Sequence, residues 1–260
     1  MTRPVKSGLL GAVLLLAVTA TITGCDDFVI GDRPPASPSA SAEPGASASA
    51  TASPTPVALP MLPERPAPGD GWTVFTDEQR LVSFEVPENW TVERIEDPGE
   101  GFDEGGLHYD VSNPDGVSMA ELHTRIASQP EECAADATSP YIVLSSEPVE
   151  LPSTAAAEGS IEPRFVVRLI QGFRFFSSYG ITDLVGGADS AACVLYNTVQ
   201  GPDHIGLYSF GDAVQLRALD PTQVGSRTES FATIAEAQKR FDEGDFDQIR
   251  RMIMSLQVAS

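Results

Sequence analysis

The chain is poor in basic residues. It holds 16 lysines and arginines against 37 acidic residues, and Lys239 is the sole lysine that follows Lys6. A protein this acidic repels the phosphate backbones of nucleic acids, and it is also pushed away from anionic lipid head groups. The composition therefore disfavours a nucleic-acid partner, and it keeps the folded part of the chain off the surface of a bilayer.

Signatures of catalysis are absent from the sequence as well. No Gly-x-Ser-x-Gly elbow occurs, which disfavours an α/β-hydrolase, and no Cys-x-x-Cys pair supports oxidoreductase chemistry. His204 has Asp203 beside it, but neighbours in sequence do not define the geometry of a Ser-His-Asp triad. We therefore predict that the protein is not an enzyme and that it carries no cofactor and no metal ion. A hydrolase of wall polymers is the alternative, and it would need a cleft with perturbed carboxylates.

A long apolar run occurs once, at the start of the chain. The uncharged residues 8–23 follow Arg3 and Lys6, which is the pattern of a secretory signal peptide. The run is shorter than the roughly 20 residues of a spanning helix. No later stretch approaches 18 apolar residues, so we predict no second span.

The end of this run, Ile22-Thr23-Gly24-Cys25, resembles a bacterial lipobox. The resemblance implies a signal peptide over residues 1–24 and fatty acylation, such as palmitate, on Cys25. It also implies a location at the extracytoplasmic face of the cell membrane. Two or more acyl chains anchor a protein firmly, whereas one chain holds it marginally. An uncleaved signal anchor, or a cleaved signal with an incidental cysteine, is the alternative.

Residues 25–70 predict a disordered linker. Between about Arg33 and Pro68 the composition is dominated by Pro, Ala, Ser and Thr, which cannot bury enough apolar surface to fold. Fully extended, this linker would reach roughly 100 Å at about 3 Å per residue. It is either a plain spacer or an O-glycosylated stalk, because Ser and Thr mixed with Pro suit that modification.

Two further cysteines, Cys133 and Cys193, lie in the part of the chain that follows the linker. An even number of cysteines in an exported protein suggests a disulfide bridge. We predict that Cys133 and Cys193 form one, and two free buried thiols are the alternative.

Residues 71–260 predict one α+β domain with an antiparallel sheet, followed by C-terminal helices. Capping boxes predict helix starts at Thr233 and Asp245, and Ile249, Met252 and Ile253 begin an apolar stripe that continues to Leu256. Alternation and turn residues predict strands at 72–75, 81–86, 90–92, 107–111, 117–126, 141–144, 165–176, 192–196, 205–208 and 214–216.

The opening of this domain, from Leu81 to Trp90, reads LVSFEVPENW and resembles the first strand and Pro-x-x-Trp turn of the PsbP-like fold. That group includes the PsbP extrinsic subunits of photosystem II and the LpqN-type actinobacterial lipoproteins. Their domains commonly end in a helix with Ser-Leu near its tail, as Ser255 and Leu256 stand here. The resemblance implies a two-layer architecture and a role in scaffolding or partner binding, without catalytic residues.

Two groups of residues are candidate metal sites. His108 and His123 lie on the two strands of one predicted hairpin, where Asp110 or Glu121 could join them as ligands. Partly exposed strand histidines are the plainer interpretation. A Gly-rich loop could curl around calcium, although a solvated loop is favoured because EF-hand spacing is missing. Its acids are Glu93, Glu96, Asp97, Glu100, Asp103 and Glu104.

An aromatic cluster occupies residues 171–180, with Phe173, Phe175, Phe176 and Tyr179. Core packing is the favoured interpretation, and an exposed patch for a protein or glycan partner is the alternative. Taken together, the sequence predicts a non-enzymatic, lipid-anchored module that binds or scaffolds an envelope partner. The alternative is a carrier of a small apolar or lipid ligand held between sheet and helices.

Overall fold

The computed structural model describes residues 60–127, 137–156, 159–221 and 228–260. The predicted signal peptide, Cys25, residues 25–59 of the predicted linker and Cys133 lie outside the described residues. The predictions that rest on them, including the bridge to Cys193, therefore stay predictions.

The described residues form mainly antiparallel β-structure with two short helices near the C-terminus. Strands in chain order are β1 (Trp72–Thr76), β2 (Val82–Pro87), β3 (Thr91–Arg94), β4 (His108–Ser112), β5 (Ser118–His123), β6 (Ser139–Pro148), β7 (Ser160–Gln171), β8 (Phe175–Leu184), β9 (Ala191–Ala192), β10 (Leu195–Tyr196), β11 (Val199–Gln200), β12 (Leu207–Gly211), β13 (Gln215–Leu216), β14 (Ser230–Phe231) and β15 (Gln257–Val258). The helices are α1 (Ile234–Asp242) and α2 (Phe246–Met254).

The strands assemble into one large sheet and two small ones. The large sheet has the order β3-β4-β5-β12-β8-β7-β6-β9, with β11 added to β12 and β14 added to β8. One small sheet has the order β1-β2-β15, and the other pairs β10 with β13. Every pairing is antiparallel, as the short connections predict.

The helices pack on one face of the sheets through the predicted apolar stripe. Ile249, Met252 and Ile253 are each 0% exposed, and Leu256, just beyond α2, is 2% exposed. They join a core that includes Phe84 of β2 and residues of β7, β8 and β12. The predicted antiparallel sheet with C-terminal helices is thus confirmed.

The opposite face of β7 and β8 is also covered. Ile170 and Phe176 pack there against Ala192, Leu195 and Leu216 in a second apolar cluster. The short strands β9, β10 and β13 supply these partners, which explains why β7 carries a nearly continuous run of buried side chains.

Two predictions about single elements are wrong. The predicted strand over residues 165–176 is a hairpin, because β7 ends at Gln171 and the amide of Gly172 bonds to the carbonyl of Arg174 at 2.8 Å. The predicted strand over residues 192–196 is likewise divided between β9 and β10.

The stretch of the predicted linker that the structure describes, residues 60–70, contacts the folded domain. The amide of Met61 donates to the carbonyl of Ser260, and the amide of Ser260 donates back, both at 3.4 Å. Arg65 donates through Nη2 to the carbonyls of Ser83 at 3.1 Å and Ser255 at 2.5 Å. The packed unit therefore begins several residues before the predicted boundary at residue 71.

Candidate functional site

The two strand histidines of the β4–β5 hairpin meet. The sequence interpretation of partly exposed histidines is wrong, because both are buried. His108 and His123 lie directly opposite each other, and the next pair on the same face is Asp110 with Glu121. Residues on the other face of these strands, such as Tyr109 and Leu122, belong to the core, because side chains alternate along a strand. The histidines therefore lie on the face of the sheet that points away from the core.

A chain of hydrogen bonds fixes the protonation of this pair. Nδ1 of His108 and Nδ1 of His123 are 3.0 Å apart, and Nε2 of His123 is 3.3 Å from Oε2 of Glu121. In a neutral His123, Nε2 carries the proton because a carboxylate only accepts, and Nδ1 then accepts from Nδ1 of His108. In a neutral His108, Nε2 is then the ring nitrogen with a free lone pair.

The acidic loop between β3 and β4 folds over these histidines. The ring of Phe102 lies 4.8 Å from the imidazole of His108 and 4.7 Å from that of His123. Backbone bonds tie the loop to the chain after β5, since the amide of Asp103 donates to Arg125 and the amide of Ala127 donates to Gly101. The cover leaves His108 7% and His123 4% exposed.

Gly106 allows this close approach. A Cβ atom at this position would lie 2.6 Å from Nε2 of His108 and 2.8 Å from the carbonyl of Thr124. Both distances are far below van der Waals contact, so any larger residue would push the loop away from the histidine. Gly106 is therefore part of the site through the space it leaves free.

The loop and His108 enclose a surface cleft of about 320 Å³. Its charged and aromatic lining consists of Arg94, Glu96, Phe102, Asp103, Glu104 and His108. Arg94 lies 3.9 Å from Glu96, so this cation is partly balanced by one acid. Asp103 and Glu104 give the rest of the lining a net negative charge. Within the described part of the chain, no hydrogen bond reaches Nε2 of His108.

Burial keeps His108 neutral over the physiological range. Desolvation, followed by the neighbouring His123 and Arg94, lowers the pKa of His108 from 6.5 to about 4. An imidazole with such a pKa accepts a hydrogen bond near neutral pH and does not add positive charge to the cleft.

The metal interpretations receive little support from this geometry. Asp110 accepts hydrogen bonds from Ser112 and Ser118, while Glu121 reaches the far nitrogen of His123. Among the described residues, no group of three or more His, Cys, Asp or Glu side chains is arranged to hold a metal ion. The six acids proposed for calcium are all exposed.

The remaining sequence candidates lie apart from this site. Nε2 of His204 is 3.0 Å from the carbonyl of Ala259, which ties it to the C-terminal backbone, and Asp203 is exposed. The aromatic cluster is divided, since Phe176 is 0% and Tyr179 8% exposed, whereas Phe173 is 51% exposed at the tip of the β7–β8 hairpin.

Phe102 and a buried polar network are features that sequence reasoning missed. Arg168 donates to Oδ1 of Asn197 at 2.6 Å, Asn197 donates to Ser178 at 2.6 Å, and Ser178 donates to Asp212 at 2.5 Å. These residues come from β7, β8 and the segments after β10 and β12, and nothing local in the sequence links them. Phe102 offered one signal, a single aromatic ring within an acidic, Gly-rich loop.

No protein-family model, curated protein or solved structure matches this chain. Within the described ranges, no helix has the length and apolar character needed to cross a bilayer.

Proposed function

We propose that the protein is a lipid-anchored extracytoplasmic module that binds an envelope partner without catalysing a reaction. The observation that carries the proposal is the Ile22-Thr23-Gly24-Cys25 motif behind a basic start and an apolar run. Acylation of Cys25 would hold the domain at the outer face of the membrane, and residues 26–59 would act as its tether.

The fold is consistent with the PsbP-like resemblance in its general layout. The second strand, β2, ends at Pro87 shortly before Trp90, and α2 with the Ser255-Leu256 pair precedes the last strand, β15. We propose that the domain belongs to this fold group, whose members mostly scaffold or bind partners.

A binding role is favoured over catalysis by the state of the site. The side chains with acid–base chemistry, His108, His123 and Glu121, hydrogen-bond to one another, and His108 also lines a surface cleft. In this arrangement the two imidazoles are engaged with each other and with a carboxylate. It offers neither a nucleophile nor a second perturbed carboxylate beside the imidazole.

Whole-cell experiments test the anchor and the partner separately. Radiolabelled palmitate should be incorporated into the wild-type protein and not into Cys25→Ala, which should also move from the membrane fraction to the soluble fraction. Crosslinking of the wild type in its own cells should then yield a discrete protein adduct. Absence of acylation would overturn the assigned location, and absence of any adduct would overturn the binding role.

A carrier of a small apolar or lipid ligand remains the second candidate. The feature that favours it is a cavity of about 220 Å³ beside Phe102, with Ile126, Leu207 and Val214 in its lining. Ligand pockets commonly measure about 300–1,000 Å³, so this cavity suits a small ligand better than a lipid chain. Native mass spectrometry of protein from its own host tests the idea, because a bare monomer argues against a carrier.

A further inference from the structure

The cavity beside Phe102 combines an apolar wall with a few polar groups and has no basic side chain in its lining. We infer that it binds one neutral sugar ring, whose hydroxyls bond to Glu100, Thr198 and Gln215 and whose C–H surface packs on Phe102. The site adds a second class of ligand to the proposed function, and it does not depend on the protein partner that crosslinking tests.

The first support is that backbone hydrogen bonds hold the walls of the cavity in place. The amide of Ala127 donates to the carbonyl of Gly101 at 2.9 Å, which ties the β3–β4 loop to the chain after β5. The amide of Ile126 donates to the carbonyl of Leu207 at 2.9 Å, which ties the same segment to β12. The walls are therefore formed before a ligand arrives, which lowers the entropic cost of binding.

The second support is a hydroxyl group in the wall of the cavity. Tyr196 and Thr198 both line it, and alternation places them on one face of the chain, whereas Val199 points into the core and is 0% exposed. Thr198 is 2% exposed, and within the part of the chain that the structure describes its hydroxyl makes no hydrogen bond. Because a hydroxyl donates one hydrogen bond and accepts two, it can bond to a ligand in the cavity.

The third support is the set of polar groups that a ligand would meet. Glu100 and Gln215 line the cavity and are exposed, so they lie where it opens to solvent. Oε1 of Gln215 accepts from Arg217 at 3.3 Å, which leaves the amide N–H groups of Gln215 for a ligand. A carboxylate, an amide and a hydroxyl suit a neutral ligand rich in hydroxyls, whereas Glu100 repels anions and a purely apolar ligand would leave Thr198 without a bond.

The fourth support is the apolar wall and the size of the cavity. Phe102, Ile126, Leu207 and Val214 form this wall. The ring of Phe102 lies within 4.8 Å of both imidazoles of the β4–β5 hairpin, so its position is fixed. The C–H groups of a sugar ring are apolar and are stabilised by contact with such a wall. A volume of about 220 Å³ admits one ring and excludes a lipid chain.

Methyl-labelled NMR on the full chain, purified in a detergent without a sugar head group, tests the site. The probes are the methyl glycosides of glucose, galactose, mannose and N-acetylglucosamine, and cyclohexanol is the apolar ring of similar size. At least one glycoside should shift the methyl signals of Ile126, Leu207 and Val214 with a Kd on the order of 1 mM, and cyclohexanol should not. The signals of Val117 and Val143, which are exposed and lie outside the cavity, should stay in place.

Two substitutions with matched controls assign the polar contacts. Thr198→Val keeps the shape of the side chain and removes the hydroxyl, so Kd for the bound glycoside should rise about fivefold. Glu100→Gln removes a charge-assisted hydrogen bond and should raise Kd about tenfold. Thr73→Val on β1 and Glu88→Gln in the β2–β3 turn change exposed residues outside the cavity and should leave Kd unchanged.

The wild-type titration decides the proposal even where a variant fails to fold. Absence of methyl shifts at about 10 mM of every glycoside, ten times the expected Kd, would overturn the site. Tighter binding of cyclohexanol than of any glycoside would also overturn it and would favour the apolar carrier. Sedimentation of Cys25→Ala with cell walls from the host, reversed by the bound glycoside, would assign the sugar to a wall glycan, and binding of the glycoside alone would assign it to a free sugar. None of these results bears on acylation of Cys25 or on protein crosslinking in cells, so the proposed function is tested independently.

Discussion

At the scale of single residues, His108 carries a testable dependence on pH. Its pKa is about 4 in the folded protein and 6.5 in an exposed histidine, mainly because burial disfavours the charged form. The unfolded chain therefore binds a proton at His108 before the folded chain does. The contribution of His108 to the free energy of unfolding is complete above about pH 6.5 and is lost as the pH falls toward 4.

We expect the ¹⁵N signals of His108 in the wild type to titrate near pH 4. Other charged groups at this ring are His123 and Glu121 on β5, Arg94 on β3, and the loop acids Glu96, Asp103 and Glu104. Phe102→Ala removes the aromatic cover without changing any of these charges, so the pKa of His108 should rise toward 6.5. A wild-type titration near 6.5 would contradict the burial of the pair.

Asp212 shows the opposite dependence on pH. Desolvation raises the pKa of its carboxyl from 3.8 to about 7, against the hydrogen bonds from Ser178 and the amide of Tyr179, which lower it. Between these two values the unfolded chain has lost the proton that the folded chain keeps. The free energy of unfolding therefore falls as the pH rises from about 4 to about 7, and it then levels off.

Asp212→Asn removes this ionisation, so its stability relative to the wild type should be greater at pH 8 than at pH 5. Urea unfolding at the two pH values measures the difference. Ser178→Ala removes one bond that favours the charged carboxylate. The pH at which stability levels off should then move upward. An equal stability gap for Asp212→Asn at both pH values would contradict the raised pKa.

These residues show what the sequence predicts and what it leaves open. A hairpin predicts that His108 and His123 lie near each other, but their direct pairing also depends on a register shift between Val111 and Ser112, which the turn at Asn113 does not predict. The cover by Phe102 depends on the path of a loop with positive φ at Gly99, Gly101 and Gly105. Such a path is set by tertiary contacts and leaves no periodic pattern in the sequence.

At the scale of elements, the two predicted capping boxes have different outcomes. Thr233 accepts the amide of Glu236 through its hydroxyl, and Glu236 accepts the amide of Ala232, so α1 is capped nearly as predicted. Asp245 makes no side-chain bond to α2, because its backbone is already helical at φ −82° and ψ −1°. Its carboxylate lies 3.6 Å from Arg240 instead. The two helix starts have the same capping pattern in the local sequence. They differ because a tight turn at Gly244 immediately precedes the second one.

We therefore expect Thr233→Ala to lower the free energy of unfolding by about 1 kcal/mol, the usual value of an N-cap. Asp245→Ala is the matched control and should cost less than about 0.5 kcal/mol, since it removes only a surface ion pair. Chemical unfolding with urea measures both. Equal losses in the two variants would contradict the assignment of the caps.

The β7–β8 hairpin shows why strand boundaries were harder to predict. Residues from Phe165 to Phe176 read as one apolar run because both faces of β7 and β8 are buried, so alternation is lost. In the sequence, a glycine at position 172 fits a bulge inside one strand and a turn between two strands equally well. The pairing of Ile170 with Phe176 shows that Gly172 lies in a turn. This pairing is a tertiary contact, which the local sequence does not specify.

At the scale of the whole molecule, the first described residues, which would follow the proposed tether, are fastened to the C-terminal end of the fold. Met61 pairs with Ser260, and Arg65 reaches the carbonyl of Ser255. Glu85 lies 3.8 Å from Arg65 and also accepts two bonds from Arg251, whose guanidinium stacks 4.0 Å over Trp72. Any pull on the tether would therefore load the small β1-β2-β15 sheet first, and the cleft over His108 belongs to the large sheet.

This arrangement predicts a sharp difference between two truncations. A chain that begins at Pro60 keeps every described contact of Met61 and Arg65, so its Tm should equal that of the full chain. A chain that begins at Gly71 loses them and leaves Glu85 with one fewer cation. Hydrogen bonds of a charged group contribute roughly 1.5–3 kcal/mol, and a domain of this size loses about 2–4 °C in Tm per kcal/mol.

We therefore expect the shorter chain to melt on the order of 5 °C lower, as measured by circular dichroism on proteins purified under identical conditions. Arg65→Ala in the chain that begins at Pro60 should reproduce most of the loss. Arg174→Ala, an exposed arginine at the tip of the β7–β8 hairpin, is the matched control and should leave Tm within about 1 °C because surface changes cost little. Equal melting of the two truncations would place the start of the stable domain at residue 71. The contacts of Arg65 would then contribute nothing to stability.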